Sequence, residues 1–124
     1  MSATTELVAV LKATTGVTAL VGTRIYPVTL PQEVTLPAIR YQQIDDPPGL
    51  THSGPDLNHP RIQLTAVAST YASAEAIATA LKTALHGKKL WGTGGVSWMA
   101  SNIDDFEPET GLYMRHVDIQ MWKQ

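Results

Sequence analysis

Apolar residues recur along the chain with two different periods, and the alternation between them sets out the elements. Between Thr4 and Thr14, Leu7, Val10 and Leu11 fall at helical spacing, with Thr4 or Thr5 available to cap the start and Gly16 to end it. Val17 to Val21 offers one more turn before Gly22, and Arg24, Ile25 and Tyr26 then run into Pro27 as a brief extended piece. Ala38 to Ile44 switches to period two: Ile39 and Tyr41 point one way, Arg40 and Gln42 the other. Arg61 to Ala68 repeats that alternation, with Ile62, Leu64 and Ala66 on one face and Arg61, Gln63 and Thr65 on the other.

The strongest helical pattern follows. From Thr70 to His86, Ala74, Ile77, Ala78, Leu81, Ala84 and Leu85 form one stripe, Ser69 or Thr70 can cap it, and Gly87 ends it. This stripe is expected to pack on the sheet face that carries Ile62 and Leu64. Leu90 and Trp91, the glycine-rich run Gly92 to Gly95, and Val96 to Met99 read as a hairpin. Asn102 to Thr110 reads as an acidic connector. Leu112 to Trp122 reads as a central or near-central strand, with Tyr113, Arg115, Val117, Ile119 and Met121 on one face and His116, Asp118 and Gln120 on the other. The long segment from Asp45 to His59 is rich in Pro, Gly, Ser, Asp and Asn, which predicts a loop that becomes ordered against a neighbour. Strands flanking a long helix predict an α+β fold in which a largely antiparallel sheet is covered on one face by helices.

Composition adds bounds. With 124 residues, 44% apolar and 16% charged, the chain suits one domain spanning residues 1–124 with a core of its own. It has no cysteine, so neither disulfides nor thiolate metal sites enter. A formal net charge of -2 with scattered basic residues gives no footprint for wrapping nucleic acid. Residues Met1 to Leu20 resemble neither a signal peptide nor a membrane span, so a soluble protein made in the cytoplasm is expected.

Candidate chemistry is sparse. His52, His59, His86 and His116 show no ligand spacing, and His86 reads as a residue favoured at a helix C-terminus. Asp104, Asp105, Glu107 and Glu109 lack the spacing and the turn glycine of a calcium loop. The glycine-rich run is not followed by Lys-Ser or Lys-Thr, and no serine sits in a nucleophile elbow. The one catalytic alternative is a small metal-dependent hydrolase using Asp104, Asp105 and His116. Trp91, Trp98 and Trp122 lie near strand ends or turns, where they either plug the rim of the core or serve as interface anchors.

Four pieces in order carry a resemblance: Ala19-Leu20-Val21-Gly22-Thr23-Arg24-Ile25-Tyr26-Pro27, then Leu36-Pro37-Ala38-Ile39-Arg40-Tyr41-Gln42, then Arg61-Ile62-Gln63-Leu64 leading into Thr70-Tyr71, and last Tyr113-Met114-Arg115-His116-Val117-Asp118-Ile119. In this order the chain resembles the phage tail-completion and head–tail joining proteins related to tail terminators. The resemblance implies a non-catalytic virion protein without a cofactor, forming a ring of copies, typically six. It implies as partners the tail tube protein and head–tail connector proteins, with DNA passing through the lumen without specific binding, and no membrane. Candidate interface residues are then Trp91, Trp98 and Trp122, Asp45, Asp46, His52 and His59 in the long loop, and Asp104 and Asp105 in the acidic segment.

Overall fold

The structure is a computed structural model that describes residues 3–45, 50–51, 54–55, 61–86, 88–91 and 95–122. The chain runs α1 (Ala3–Ala13), α2 (Thr15–Val21), β1 (Ile25–Pro27), β2 (Ala38–Asp45), β3 (Leu50–Thr51), β4 (Gly54–Pro55), β5 (Arg61–Ala68), α3 (Tyr71–Leu85), β6 (Lys88–Trp91), β7 (Gly95–Glu107) and β8 (Leu112–Trp122). Six strands form one sheet in the order β1-β2-β5-β8-β7-β6, parallel between β1 and β2 and antiparallel elsewhere. β8 lies inside the sheet, as its apolar alternation predicts.

The helices cover one face. Leu7 and Leu11 of α1, Val17 and Val21 of α2, and Ile77, Leu81 and Leu85 of α3 share a core with Ile39, Ile62, Leu64, Val117 and Ile119 of the sheet. Cross-strand register explains the set: Ile39 opposes Ala66, Leu64 opposes Val117, and Ile62 opposes Ile119, so the apolar halves of β2, β5 and β8 coincide on the helix side. α3 starts where the Thr70 hydroxyl accepts the Ser73 N–H at 3.2 Å. Ala74 and Ala78, both buried, let it lie close to the strands.

Several boundaries differ from the sequence expectation, each for a local reason. α1 is Ala3–Ala13, so Thr4 and Thr5 lie within it rather than before it. Gly16 does not end it either: the break falls at Thr14, which is extended (φ -93°, ψ 112°) with its hydroxyl donating to the Val10 carbonyl at 2.7 Å, and Gly16 lies within α2. Gly22 instead terminates α2, at φ 60° and ψ -126°, a conformation that residues with a side chain resist. The segment from Asp45 to His59 is not wholly loop, since β2 reaches Asp45 and β3 pairs with β4. The acidic connector expected over Asn102 to Thr110 is mostly strand: β7 continues to Glu107, and only residues 108–111 turn. Strand pairing with β8 outweighs the low β-propensity of Asn and Asp there. Gly111, at φ 69°, closes the turn by donating its N–H to the Glu107 carbonyl at 2.8 Å.

Val28, directly after β1, holds φ 60° although it is β-branched and 56% exposed. Left-handed backbone costs a β-branched residue about 1–2 kcal/mol. Val28→Gly should therefore raise the unfolding free energy by up to about 1 kcal/mol, after allowing for the extra unfolded-state entropy of glycine. Urea denaturation checks this, and a destabilised variant would show that the valine side chain contributes packing that outweighs its strain.

Candidate interaction surface

Two polar systems stand out, one on each face of the β7–β8 pair. Strand alternation separates neighbouring residues, so Asp104 and Asp105 point to opposite sides. On the helix side Asp104 opposes Arg115 and forms an ion pair with it, and Phe106 opposes Tyr113. Tyr71, at the first turn of α3, completes this group. Its hydroxyl donates to Asp104 Oδ2 at 3.0 Å and accepts from Arg115 Nη2 at 3.1 Å, while the Arg115 guanidinium lies 5.7 Å from the Tyr71 ring centre. Arg115 Nη1 also donates to Asn102 Oδ1 at 3.2 Å. Tyr113 meets the Tyr71 ring edge-on at 6.1 Å and the Phe106 ring at 4.8 Å. Tyr71, Asp104, Asp105, Phe106 and Tyr113 line a shallow depression of about 390 Å³. Tyr71 and Phe106 remain 44% and 46% exposed, so the rings offer apolar surface to a partner.

On the opposite face no helix among the described residues covers the sheet, and side chains there pair among themselves. Asp118 accepts from Arg61 Nη2 at 3.0 Å and from Gln63 Nε2 at 3.2 Å. His116 Nδ1 is 3.0 Å from the Thr65 hydroxyl, and its Nε2 is 3.1 Å from Asp105 Oδ2. Asp105 Oδ1 accepts the Phe106 N–H at 2.8 Å. The His116 hydrogen bond, and next the Phe106 N–H, hold the Asp105 carboxyl below its usual pKa of 3.8. Because the folded pKa is depressed, the associated stabilisation is present above the usual value and is lost as pH falls through the lower folded one. An NMR titration of the Asp105 carboxyl should show a midpoint below that of an unstructured aspartate, and His116→Ala should move it upward. An unchanged midpoint in the variant would remove His116 as the main cause.

The sheet edges are unlike each other. β1 seals its own: Pro27 has no N–H, the Ile25 N–H goes to the Thr23 carbonyl at 2.8 Å, and the Pro27 carbonyl accepts the Thr29 N–H at 2.6 Å. The Arg24 side chain fastens this strand by donating to the Pro37 carbonyl at 2.9 Å. At the other edge β6 pairs with β7 only between residues 95 and 97, and His86 Nδ1 then accepts the Met99 N–H at 3.1 Å. His86 thus acts at the end of α3 as an acceptor for a strand N–H. Beyond it, from Ser101 to Glu107, no strand among the described residues pairs with the outer side of β7.

Of the residues marked from sequence, Asp104 and Asp105 belong to these systems. Trp91, Trp98 and Trp122 fall on β6, β7 and β8, and Asp45 ends β2, but their side chains lie outside the described part of the structure. Asp46, His52 and His59 lie outside the described residues altogether. The hydrolase constellation is not assembled, because Asp105 and His116 meet on one face while Asp104 is tied to Arg115 on the other. Among the described residues no group of three or more His, Asp or Glu is placed to hold a metal ion. Tyr71, Phe106 and Arg115 were not marked. The available signal was Arg115 itself, a charge on the apolar face of a buried strand, which demands a carboxylate partner.

Exposed rings, paired charges and a strand edge left open among the described residues are the equipment of an assembly subunit, whose function lies in its surfaces. Comparison with known proteins makes that class specific. The family model for Tail completion protein gp17 matches residues 5–124, so the chain belongs to that family, and its role is the structural one of a bacteriophage tail-completion or tail-terminator protein. A search of curated proteins finds no match. Among solved structures the chain is similar to a chain from a structure described as the virion of a native gene transfer agent particle, with a TM-score of 0.80 and 18% identity, covering 94% of this chain and 90% of that one. At that identity the likeness concerns the fold.

Proposed function

We propose that this chain, as a single domain over residues 1–124, closes the end of the tail tube and joins it to the head as a ring of identical subunits, six in number. The observation that carries the reading is the family match over residues 5–124. The fold shared with a chain of a gene transfer agent virion supports it. A closed ring requires a head-to-tail contact between two different patches of the subunit. The unlike sheet edges make the subunit's two sides different, as such a contact needs. In the ring the segment from Asp45 to His59 and the three tryptophans supply contacts to the neighbouring copy, the tube protein or the connector, and DNA passes the lumen without specific binding.

Analytical ultracentrifugation over a wide concentration range, with and without tail tubes, tests the reading. A discrete closed oligomer, or binding to tube ends that creates one, is the expected result. A chain that stays monomeric at high concentration and does not bind tube ends would refute it. Monomer at low concentration is compatible, since a small interface carries a substantial entropic cost of association.

A further inference from the structure

We propose that the open edge of β7, from Ser101 to Glu107, is a docking site for an extended, basic segment of a different protein, which adds as a strand to the sheet and places an arginine or lysine in the depression beside Tyr71. In an antiparallel pair every second residue turns its N–H and C=O away from its partner. Two contacts fix which residues these are. The Glu107 carbonyl accepts from Gly111 within the turn, on the β8 side, whereas the Phe106 N–H goes to the Asp105 side chain instead of to β8. Asn102, Asp104 and Phe106 therefore point outward, and no register shift interrupts residues 101–107. The main-chain groups of Asn102 and Asp104 offer a strand template of the kind that recognises extended peptides.

Chemistry beside the template selects the guest. The segment carries Asp104, Asp105 and Glu107 and no basic residue of its own; Arg115 and His116 of β8 partner the two aspartates and leave Glu107 exposed. A partner strand lies about 5 Å from β7, so its helix-side residue opposite Asp104 reaches the depression lined by Tyr71, Asp104, Asp105, Phe106 and Tyr113. There a guanidinium or ammonium meets the Asp104 carboxylate, which already pairs with Arg115 and Tyr71 but is 54% exposed, while its aliphatic stem covers exposed aromatic rings. Ile103, 59% exposed on the other face, offers an apolar contact for the next residue of the guest.

The chain's own segments fit poorly. A second β7 would set its acidic residues against like charges. The β1 edge is already satisfied by Thr23 and Thr29. Residues 46–60 contain no Lys or Arg. β6 has only four residues and a register irregularity between Lys88 and Trp91, too little to cover 101–107.

The proposal concerns the surface of one subunit and stands or falls apart from ring formation. The experiment titrates the isolated protein, labelled for NMR, with a capped peptide alternating valine and arginine, and with its glutamate-for-arginine counterpart. The arginine peptide should shift the amides of residues 101–107 and the Tyr71 and Phe106 rings, and bind at least about tenfold more tightly than the glutamate peptide. Asn102→Pro removes an outward N–H, leaves the inner ladder to β8 and also loses the acceptor for Arg115, so Asn102→Ala is the matched control: binding should be lost in the proline variant and kept in the alanine one. Should that variant fail to fold, Glu107→Lys, at an exposed position, should weaken the arginine peptide by a similar factor. Equal binding of both peptides, no binding, or shifts located elsewhere would overturn the proposal. So would self-association abolished by either substitution, which would make a second copy the occupant.

Discussion

Replacing Leu81 with alanine should lower the unfolding free energy by about 2–5 kcal/mol, the range for removing a large aliphatic side chain from a packed core. Leu81 is fully buried in the middle of α3, in the cluster that contains Ile77, Leu85, Ile62 and Leu64. The helix rests on β5 and β8, whose apolar residues are themselves buried, so neighbouring side chains can close the resulting cavity only in part. A loss of this size is a large share of the total stability of a domain, which is typically about 5–15 kcal/mol. Glu75→Ala, on the exposed side of the same helix, is the matched control and should change stability by less than about 0.5 kcal/mol. Urea denaturation of both variants decides the matter. A neutral result at Leu81 would mean that the α3 stripe faces away from the sheet.

α3, β5 and β8 were legible because each buries one face, and burial writes a period into the sequence. Ala74, Ile77, Ala78, Leu81 and Leu85 mark a helix, and Ile62, Leu64, Val117 and Ile119 mark strands, before any contact is known. The second half of β7 was not legible for the converse reason. Residues 102–107 are exposed, so no burial pattern selects between strand and connector, and only pairing with β8 makes them a strand. The same holds for β1, whose three residues are held by parallel pairing to β2 and by the Arg24 side chain on Pro37. That contact gives a structural reason for part of the motif from Gly22 to Pro27. Gly22 ends α2 in a glycine conformation, Arg24 ties the strand down, and Pro27 helps seal the edge.

The candidate surface was half legible. Asp104 and Asp105 were marked as acidic contacts, but their assignment to opposite faces depends on strand geometry, which the connector reading could not supply. Tyr71 was unreachable as a functional residue, since its meeting with Asp104 and Arg115 joins positions 33 and 44 residues apart. Arg115 was visible as an anomaly on an apolar face. Its ion pair with Asp104 and its position over the Tyr71 ring explain why that face tolerates a charge at the place where α3 begins.

Asp118→Ala is expected to cost about 1–3 kcal/mol, the second largest effect and one that tests the uncovered face of the sheet. The Asp118 side chain is 13% exposed and accepts from both Arg61 and Gln63, so alanine would remove two hydrogen bonds at once. The Arg61 side chain is 39% exposed, which lets solvent screen the pair, so the ionic part is much weaker than in a buried bridge. Arg61→Ala should therefore cost less, about 1 kcal/mol, because Asp118 would keep the Gln63 amide and partial access to water. Asp118→Asn keeps an acceptor for Gln63 while removing the charge, and should fall between the two. A double-mutant cycle of Asp118→Ala and Arg61→Ala should give a coupling of about 0.5–1 kcal/mol. A larger coupling would mean the charges interact in a drier setting than their exposure implies. If Asp118→Ala were neutral, the desolvation cost of a nearly buried carboxylate would equal what its two donors return. The network would then act on pairing rather than on stability: Asp118 opposes Gln63 in the β5–β8 register, and a one-residue slip would carry its carboxylate to the apolar helix side.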